Sequence, residues 1–286
     1  MIRFTDSEIE QLILDDAPLG DLTSALLGLH TQTGTLTVTA REELVACGTE
    51  EVERLLEKLR ISVHQRVPSG TVCHVGDPLL SASGEVSAIH MAWRAGSTMI
   101  EFASGIATRT RQLVAASRRG NKATTVAGSR KHAPFLKKIA LKALMAGGGV
   151  PHRTGLSDTV LIFKEHLLFL GGYEQLARTV ERVRAQHRER MVVVEAHTEL
   201  EALAVAQSGA HFVQIDKMPP PGFAKCAREC KKVNPNVGVI AAGGINAQNA
   251  RAYAEAGAEV LVTSWMYAAS PADVKVTICA DDGSDD

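Results

Sequence analysis

The chain has 286 residues, enough for one large domain or two modest ones. Apolar residues make up 45% and charged residues 22%, the balance of a folded globular protein, which excludes global disorder and fibrous repeats. The 31 basic and 32 acidic residues leave a net charge of -1, which argues against a general nucleic-acid binder, and no run of about 18 apolar residues is present to cross a membrane.

In chain order, TDSEIEQLILDD carries Ile9, Leu12 and Ile13 at helical spacing behind a cap at Thr5 or Asp6, and ends at Pro18 and Gly20. Acids in this stretch occupy the place where a signal peptide needs an apolar core, so a cytoplasmic protein is expected. TGTLTVTA alternates as a half-buried strand and EEVERLLEKL reads as an amphipathic helix. Short strands around ISVHQRV, TVCHVG and PLLSASG complete a small α+β domain of about 90 residues. Residues 87–117 read as helix in two pieces broken near Gly105, followed by a helix over KHAPFLKKIALKALMA, a glycine run at Gly147 to Gly149, and TVLIF as a buried strand.

From residue 191 the pattern is regular: strands MVVVEAH, HFVQID, VGVIAAGGI and EVLVTS alternate with helices TELEALAVAQSG, PGFAKCARECKKV and NAQNARAYAEAG. Apolar strands separated by single amphipathic helices predict a parallel sheet covered by helices. A Rossmann sheet would place GxGxxG between a strand and its helix, and no such fingerprint occurs. A βα barrel fits better, because Glu195, Asp216, the Gly243–Gly244 pair and Ser264 all fall at strand C-terminal ends, the face that carries chemistry in barrels.

Acids that close apolar strands are costly to bury, so Glu195 and Asp216 are expected at an open mouth, where they could hold a divalent cation or stabilise positive charge on a sugar ring. Capping of the next helix, or pairing with Lys217, is the simpler alternative. His197 would share the face of Glu195 if the strand continued, but just before Thr198 it reads as a helix-start residue. Between Arg109 and Lys164 stand twelve Lys or Arg residues and one acid, Asp158. Within that stretch Arg130-Lys131 and His152-Arg153 form two basic pairs, suited to a dicarboxylate or phosphorylated ligand because arginine binds such groups through two parallel hydrogen bonds. Gly243 and Gly244 open a helix after a strand, where backbone amides grip phosphate. Taken alone, Arg94 is a helix-surface residue. The five cysteines form no CxxC pair; Cys226 and Cys230, four apart, are too few for a closed zinc site, and all five read as reduced thiols.

DDAPLGDLT, SGIATRT, SRK at 129–131, GGGVPHRTGLSD at 147–158, the Glu195 strand, QIDKM at 214–218 and AAGGINAQNARAYAEAGAE at 241–259 together resemble the quinolinate phosphoribosyltransferase (nicotinate-nucleotide pyrophosphorylase, carboxylating) family, almost end to end. The resemblance implies an incomplete α/β barrel with an N-terminal α/β sandwich domain: residues 1–108 as the sandwich, completed by 271–280, and 109–270 as the barrel, with an acidic, disordered tail at 281–286. It also implies a homodimer or higher oligomer, Mg2+, and transfer of phosphoribosyl from 5-phosphoribosyl 1-pyrophosphate to an anionic ring acceptor. The implied roles are substrate binding for Arg94 (from the partner subunit), Arg130, His152 and Arg153, and catalysis for Lys131, Glu195 and Asp216. The two acids would serve as metal ligands, and Gly243, Gly244 and Ser264 as the phosphate site.

Departures from the family pattern concentrate near the acceptor. SRKHAPFLK stands where TRKTTPGLR is usual, and LIFKEH replaces LIKDNH, so Phe163 takes the place of a site lysine and Lys164 is displaced by one. A one-residue shift on a strand reverses the side-chain face, and Lys164 is retained only as a candidate substrate-binding residue. Ser264 and Ala268 replace the usual glycine and histidine near the end. The chain is most like the ModD subgroup associated with molybdenum transport, which implies a phosphoribosyl or related pyrophosphorylase reaction, and the lost positive group with Phe163 in its place points to an altered acceptor. Genuine quinolinate activity yielding nicotinate mononucleotide, and a noncatalytic binding protein on the same scaffold, are the alternatives.

Overall fold

The structure is a computed structural model and describes residues 2–281. Thr5 and Glu8 cap each other's backbone N–H groups at the start of α1 (Asp6–Asp16), satisfying two of the donors that a helix leaves open. A short α2 (Leu22–Leu26) leads to β1 (Thr33–Ala40), in which Leu36, Val38 and Ala40 are buried while the intervening threonines are half-exposed. After β2 (Leu44–Val45), α3 (Thr49–Lys58) buries Val52, Leu55 and Leu56, and β3 (Ser62–Arg66), β4 (Val72–Cys73) and β5 (Pro78–Glu85) follow.

The next helix, α4 (Val86–Gly120), is a single helix of 35 residues, correcting the expected break at Gly105. That glycine marks a close approach: a Cβ there would lie 2.2 Å from the Ser270 carbonyl oxygen. The strand β6 (Thr125–Gly128) carried too few residues to be read from sequence. α5 (Lys137–Ala146) begins later than residue 131, because Pro134 disfavours helix in the residue before it and Phe135 is left-handed at φ 65°.

The remaining elements alternate: β7 (Val150–Pro151), β8 (Val160–Ile162), α6 (Lys164–Leu167), α7 (Leu176–Gln186), β9 (Val192–Ala196), α8 (Glu199–Gln207), β10 (Phe212–Asp216), α9 (Pro220–Val233), β11 (Gly238–Ala242), α10 (Ala250–Glu255), β12 (Val260–Thr263) and β13 (Val274–Ala280). Residues 246–249 were expected in the last of these helices. They form a turn instead, in which the Asn246 side chain accepts from the N–H groups of Gln248 and Asn249 and competes with helix formation.

The chain divides into two compact units, the first comprising the described parts of Met1–Arg111, Ala133–Gly148 and Tyr267–Asp286, the second Gln112–His132 and Gly149–Met266. The division does not fall at one point, since 133–148 group with the N-terminal segment. In the first unit an antiparallel sheet ordered β13-β1-β5-β3 shares a core with residues from α1, α3 and α4, including Ile9, Leu55, Leu56 and Ile89. Asp281 is tied to β1 through Thr33 and Thr35, contrary to the disorder expected there, and residues 282–286 of the acidic tail lie outside the described residues. In the second unit seven parallel strands run in the order β7-β6-β12-β11-β10-β9-β8. The edge strands β7 and β8 do not pair, so this is an incomplete barrel. Its interior is filled by Ala127, Leu161, Val193, Ile240, Ala242 and Val262.

Candidate active site

Parallel strands deliver their C-terminal residues to one end of a barrel. There a cavity of about 430 Å³ opens in the second unit. Ser129, Arg130 and Lys131 follow β6, and His152 and Arg153 follow β7; all five line the cavity. The His152 N–H donates to the Gly128 carbonyl at 2.9 Å, extending the pairing of β6 with β7 and fixing the two basic segments side by side. Burial, reinforced by the neighbouring Arg153, pushes the His152 imidazole down to about 4, so this residue is neutral near pH 7. Burial and Arg130 likewise lower the Arg153 guanidinium, which still carries its charge at neutral pH.

Phe163 follows β8 as the N-cap residue of α6 and lines the same cavity. The Arg153 guanidinium carbon lies 5.9 Å from the centre of its ring, within range of a cation–π contact. His166 stacks on the ring at 5.8 Å, and its Nδ1 accepts from the Phe163 N–H at 3.0 Å, so the ring is held from outside the cavity. Lys164 is exposed as the first residue of α6 and is not among the lining residues, so the candidate substrate-binding role is not supported by its position. The strand ends at Ile162, which leaves Phe163 facing in and Lys164 outside.

The opposite wall is acidic. Glu195 on β9 and Asp216 on β10 line the cavity, and Gln214 Nε2 donates to Glu195 Oε2 at 2.8 Å. Burial raises the Glu195 carboxyl above the usual carboxylate range, and Asp216 adds to the rise, against the Gln214 hydrogen bond. Gln214, 4% exposed with its Oε1 lacking a hydrogen-bond partner, is a site residue that sequence reasoning missed. The available signal was a polar residue within FVQID, two before Asp216 and therefore on its face. His197, read as a helix-start residue, does donate its N–H to Glu201 at that start, and its ring also approaches both acids.

Between the walls, Gly243 and Gly244 both have positive φ, 83° and 71°, and line the cavity with Thr263 and Ser264. Thr263 Oγ1 donates to the Ile245 carbonyl at 2.7 Å and accepts from the Trp265 N–H at 3.0 Å, pinning the loops after β11 and β12. Lys217, also at positive φ, lies in the lining beside Asp216 at 3.8 Å. Arg94 belongs to the first unit, where it is exposed and stacks over Trp93 at 5.3 Å. The structure thus brings together Arg130, Lys131, His152, Arg153, Glu195, Asp216, Gly243, Gly244 and Ser264, and does not bring Arg94 or Lys164 into that cavity.

Among the described residues no group of three or more His, Cys, Asp or Glu side chains forms a metal cage. Two carboxylates at an open mouth nevertheless match Mg2+, a hard cation held by one or two carboxylates together with substrate phosphates.

The cavity sets Arg130, Lys131 and Arg153 together with half-buried Glu195 and Asp216 at the carboxyl ends of parallel strands, the end of a barrel that carries chemistry. Residues 106–277 match the quinolinate phosphoribosyl transferase C-terminal domain and residues 21–104 its N-terminal domain. ModD of Rhodobacter capsulatus, a candidate pyrophosphorylase, is 41% identical over 252 residues, 87% of this chain and 96% of that protein. A candidate nicotinate-nucleotide pyrophosphorylase (carboxylating) of Methanothermobacter thermautotrophicus is 30% identical over 94% of this chain and 97% of its own length. NadC from Streptococcus pyogenes shares the fold at a TM-score of 0.88 and 19% identity, covering 99% of this chain and 100% of that one. The chain belongs to the quinolinate phosphoribosyl transferase family and is an enzyme of the phosphoribosyltransferase class.

Proposed function

We propose that this enzyme transfers the phosphoribosyl group of 5-phosphoribosyl 1-pyrophosphate, with Mg2+, to a carboxylated nitrogen-ring acceptor other than quinolinate, releasing pyrophosphate. The observation that carries the acceptor reading is Phe163: an aromatic ring braced by His166 stands in the cavity beside Arg153, while the adjacent lysine lies outside. With His152 neutral, Arg130, Lys131 and Arg153 provide the charge on that wall, and a carboxylate lying against them is matched through hydrogen bonds of fixed direction.

As the bond from ribose C1 to pyrophosphate loosens, positive charge grows on the sugar. Glu195 and Asp216 are placed to stabilise that charge electrostatically, with no covalent nucleophile required. Amides of the Gly243–Gly244 turn and the Ser264 hydroxyl would bind phosphate oxygens, and Lys131 would offset negative charge between the two substrates. Mg2+ would be held by Glu195 and Asp216 with substrate oxygens and would neutralise the leaving pyrophosphate. A cytoplasmic homodimer forms part of this reading; exposed Leu19, Leu22, Leu26 and Leu27 in the first unit support a covered face, and Arg94 would reach a partner's cavity.

The test is pyrophosphate release from 5-phosphoribosyl 1-pyrophosphate and Mg2+, with quinolinate and with monocarboxylated nitrogen heterocycles, followed by mass analysis of the product. Release driven by a heterocycle other than quinolinate is expected. Quinolinate-dependent release with a decarboxylated mononucleotide would replace this reading with the ordinary family reaction.

A further inference from the structure

The two site acids are not lateral neighbours. In the parallel register of β9 and β10, Glu195 stands opposite Gln214 and Ala196 opposite Ile215, so Asp216 lies beyond, diagonal to Glu195. Backbone positions on such a diagonal are roughly 8 Å apart, from a rise of about 3.3 Å per residue and a strand spacing of about 4.8 Å. Neither carboxylate is therefore braced by the other's backbone. The ring of His197 fills the intervening corner: Nε2 is 3.4 Å from Glu195 Oε1 and Nδ1 is 3.7 Å from Asp216 Oδ2.

His197 is not among the residues lining the cavity, and it is itself anchored. Its backbone N–H donates to Glu201 Oε2 at 2.7 Å, and Glu201 is locked by a reciprocal cap with Thr198 at the start of α8. Nε2 is buried with no hydrogen-bond partner, and the Glu195 carboxylate is its acidic neighbour. The other Glu195 oxygen is occupied by Gln214. We infer that His197 is a positioning residue that sets the separation and aim of the Glu195 and Asp216 carboxylates. Without it, the corner between the two carboxylates is unfilled and no side chain that meets both sets their separation. The catalytic consequence rests on the phosphoribosyl-transfer reading; the effect on cation binding does not.

The test uses the full-length protein and three variants. His197→Phe keeps a ring and removes both nitrogens, His197→Ala removes the ring, and His197→Gln restores one amide donor. Mn2+ is the probe, its affinity read by electron paramagnetic resonance with and without 5-phosphoribosyl 1-pyrophosphate, beside kcat, the acceptor KM and thermal melting. His197→Phe is expected to lower Mn2+ affinity and kcat by about 10- to 100-fold, the usual cost of losing a residue that orients ligands. Acceptor KM should stay nearly unchanged, and His197→Gln should recover part of both losses. If His197→Phe does not fold, His197→Ala is read by the same criteria. Wild-type Mn2+ affinity in the folded variant, or a wild-type protein that binds no Mn2+ in either condition, would overturn the inference. A wild type that releases no pyrophosphate yet shows the His197 dependence of Mn2+ binding would sink the functional reading and leave this one standing.

Discussion

At Gly243 the backbone and its neighbours both exclude a side chain. Its φ is 83°, and an added Cβ would lie 2.6 Å from Asp216 Oδ1 and 2.5 Å from Lys217 Cγ. Gly243→Ala would incur about 1–3 kcal/mol of backbone strain and displace a site carboxylate. A rise of at least tenfold in the dissociation constant for 5-phosphoribosyl 1-pyrophosphate is expected by calorimetry. His152 makes a second prediction at this scale. Its native imidazole stays neutral down to about 4, whereas the unfolded residue takes up a proton near 6.5, so the unfolded chain binds more protons between these values and stability falls as pH drops through that window. Between pH 7.5 and 5 the loss attributable to this group is about 2 kcal/mol. Urea unfolding at the two pH values should show a smaller difference for His152→Gln.

Helix α4 shows how an element can contradict the propensity of one of its residues. Glycine inside a helix is about 1 kcal/mol worse than alanine, which is why Gly105 reads as a break. The helix is continuous because removing the side chain lets the 270 segment approach to contact. Gly105→Ala is therefore expected to destabilise the protein, lowering the melting temperature, whereas propensity alone predicts a gain; differential scanning fluorimetry distinguishes the two. Another element-scale constraint ties α5 to α3. Lys142 pairs with Glu50 and with the buried Glu51, and the Lys142 and Ser69 hydrogen bonds overcome the upward push of burial to hold Glu50 near about 2. The cationic run that includes Lys137, Lys138 and Lys142 thus divides by function: Lys138 and Lys142 pair with acids of the first unit, while Arg130, Lys131 and Arg153 remain at the cavity.

For the whole molecule, the proposed homodimer makes a quantitative prediction. If Arg94 serves the partner's cavity, Arg94→Ala and Glu195→Ala are each inactive alone but damage different sites when mixed. Reassociated mixtures should regain about a quarter of wild-type activity, because half of randomly paired dimers carry one intact site. No recovery, with mixed dimers demonstrated by native mass spectrometry, would remove Arg94 from the site. The near-zero net charge of the chain conceals a segregated distribution, and it is the segregation that suits the polyanionic substrate proposed above.

The parallel barrel elements from Val192 to Thr263 were legible in the sequence, because apolar strands and amphipathic helices alternate with short connections, and the same periodicity placed Glu195, Asp216 and the glycine pair at strand ends. The basic pairs were legible as a charged cluster, through the scarcity of acids around them, and the structure gathers them at one cavity. Tertiary structure decided what local pattern does not encode. β6 has four residues, too few to show a period, and is identified by its pairing with β7 and β12. Through the register of β9 against β10, Gln214 comes to line the cavity and His197 to approach both acids, and Phe163 and Lys164 parted because β8 stops at Ile162. Periodicity is a property of neighbours along the chain, whereas a site is a property of neighbours across strands, which register and strand termination set.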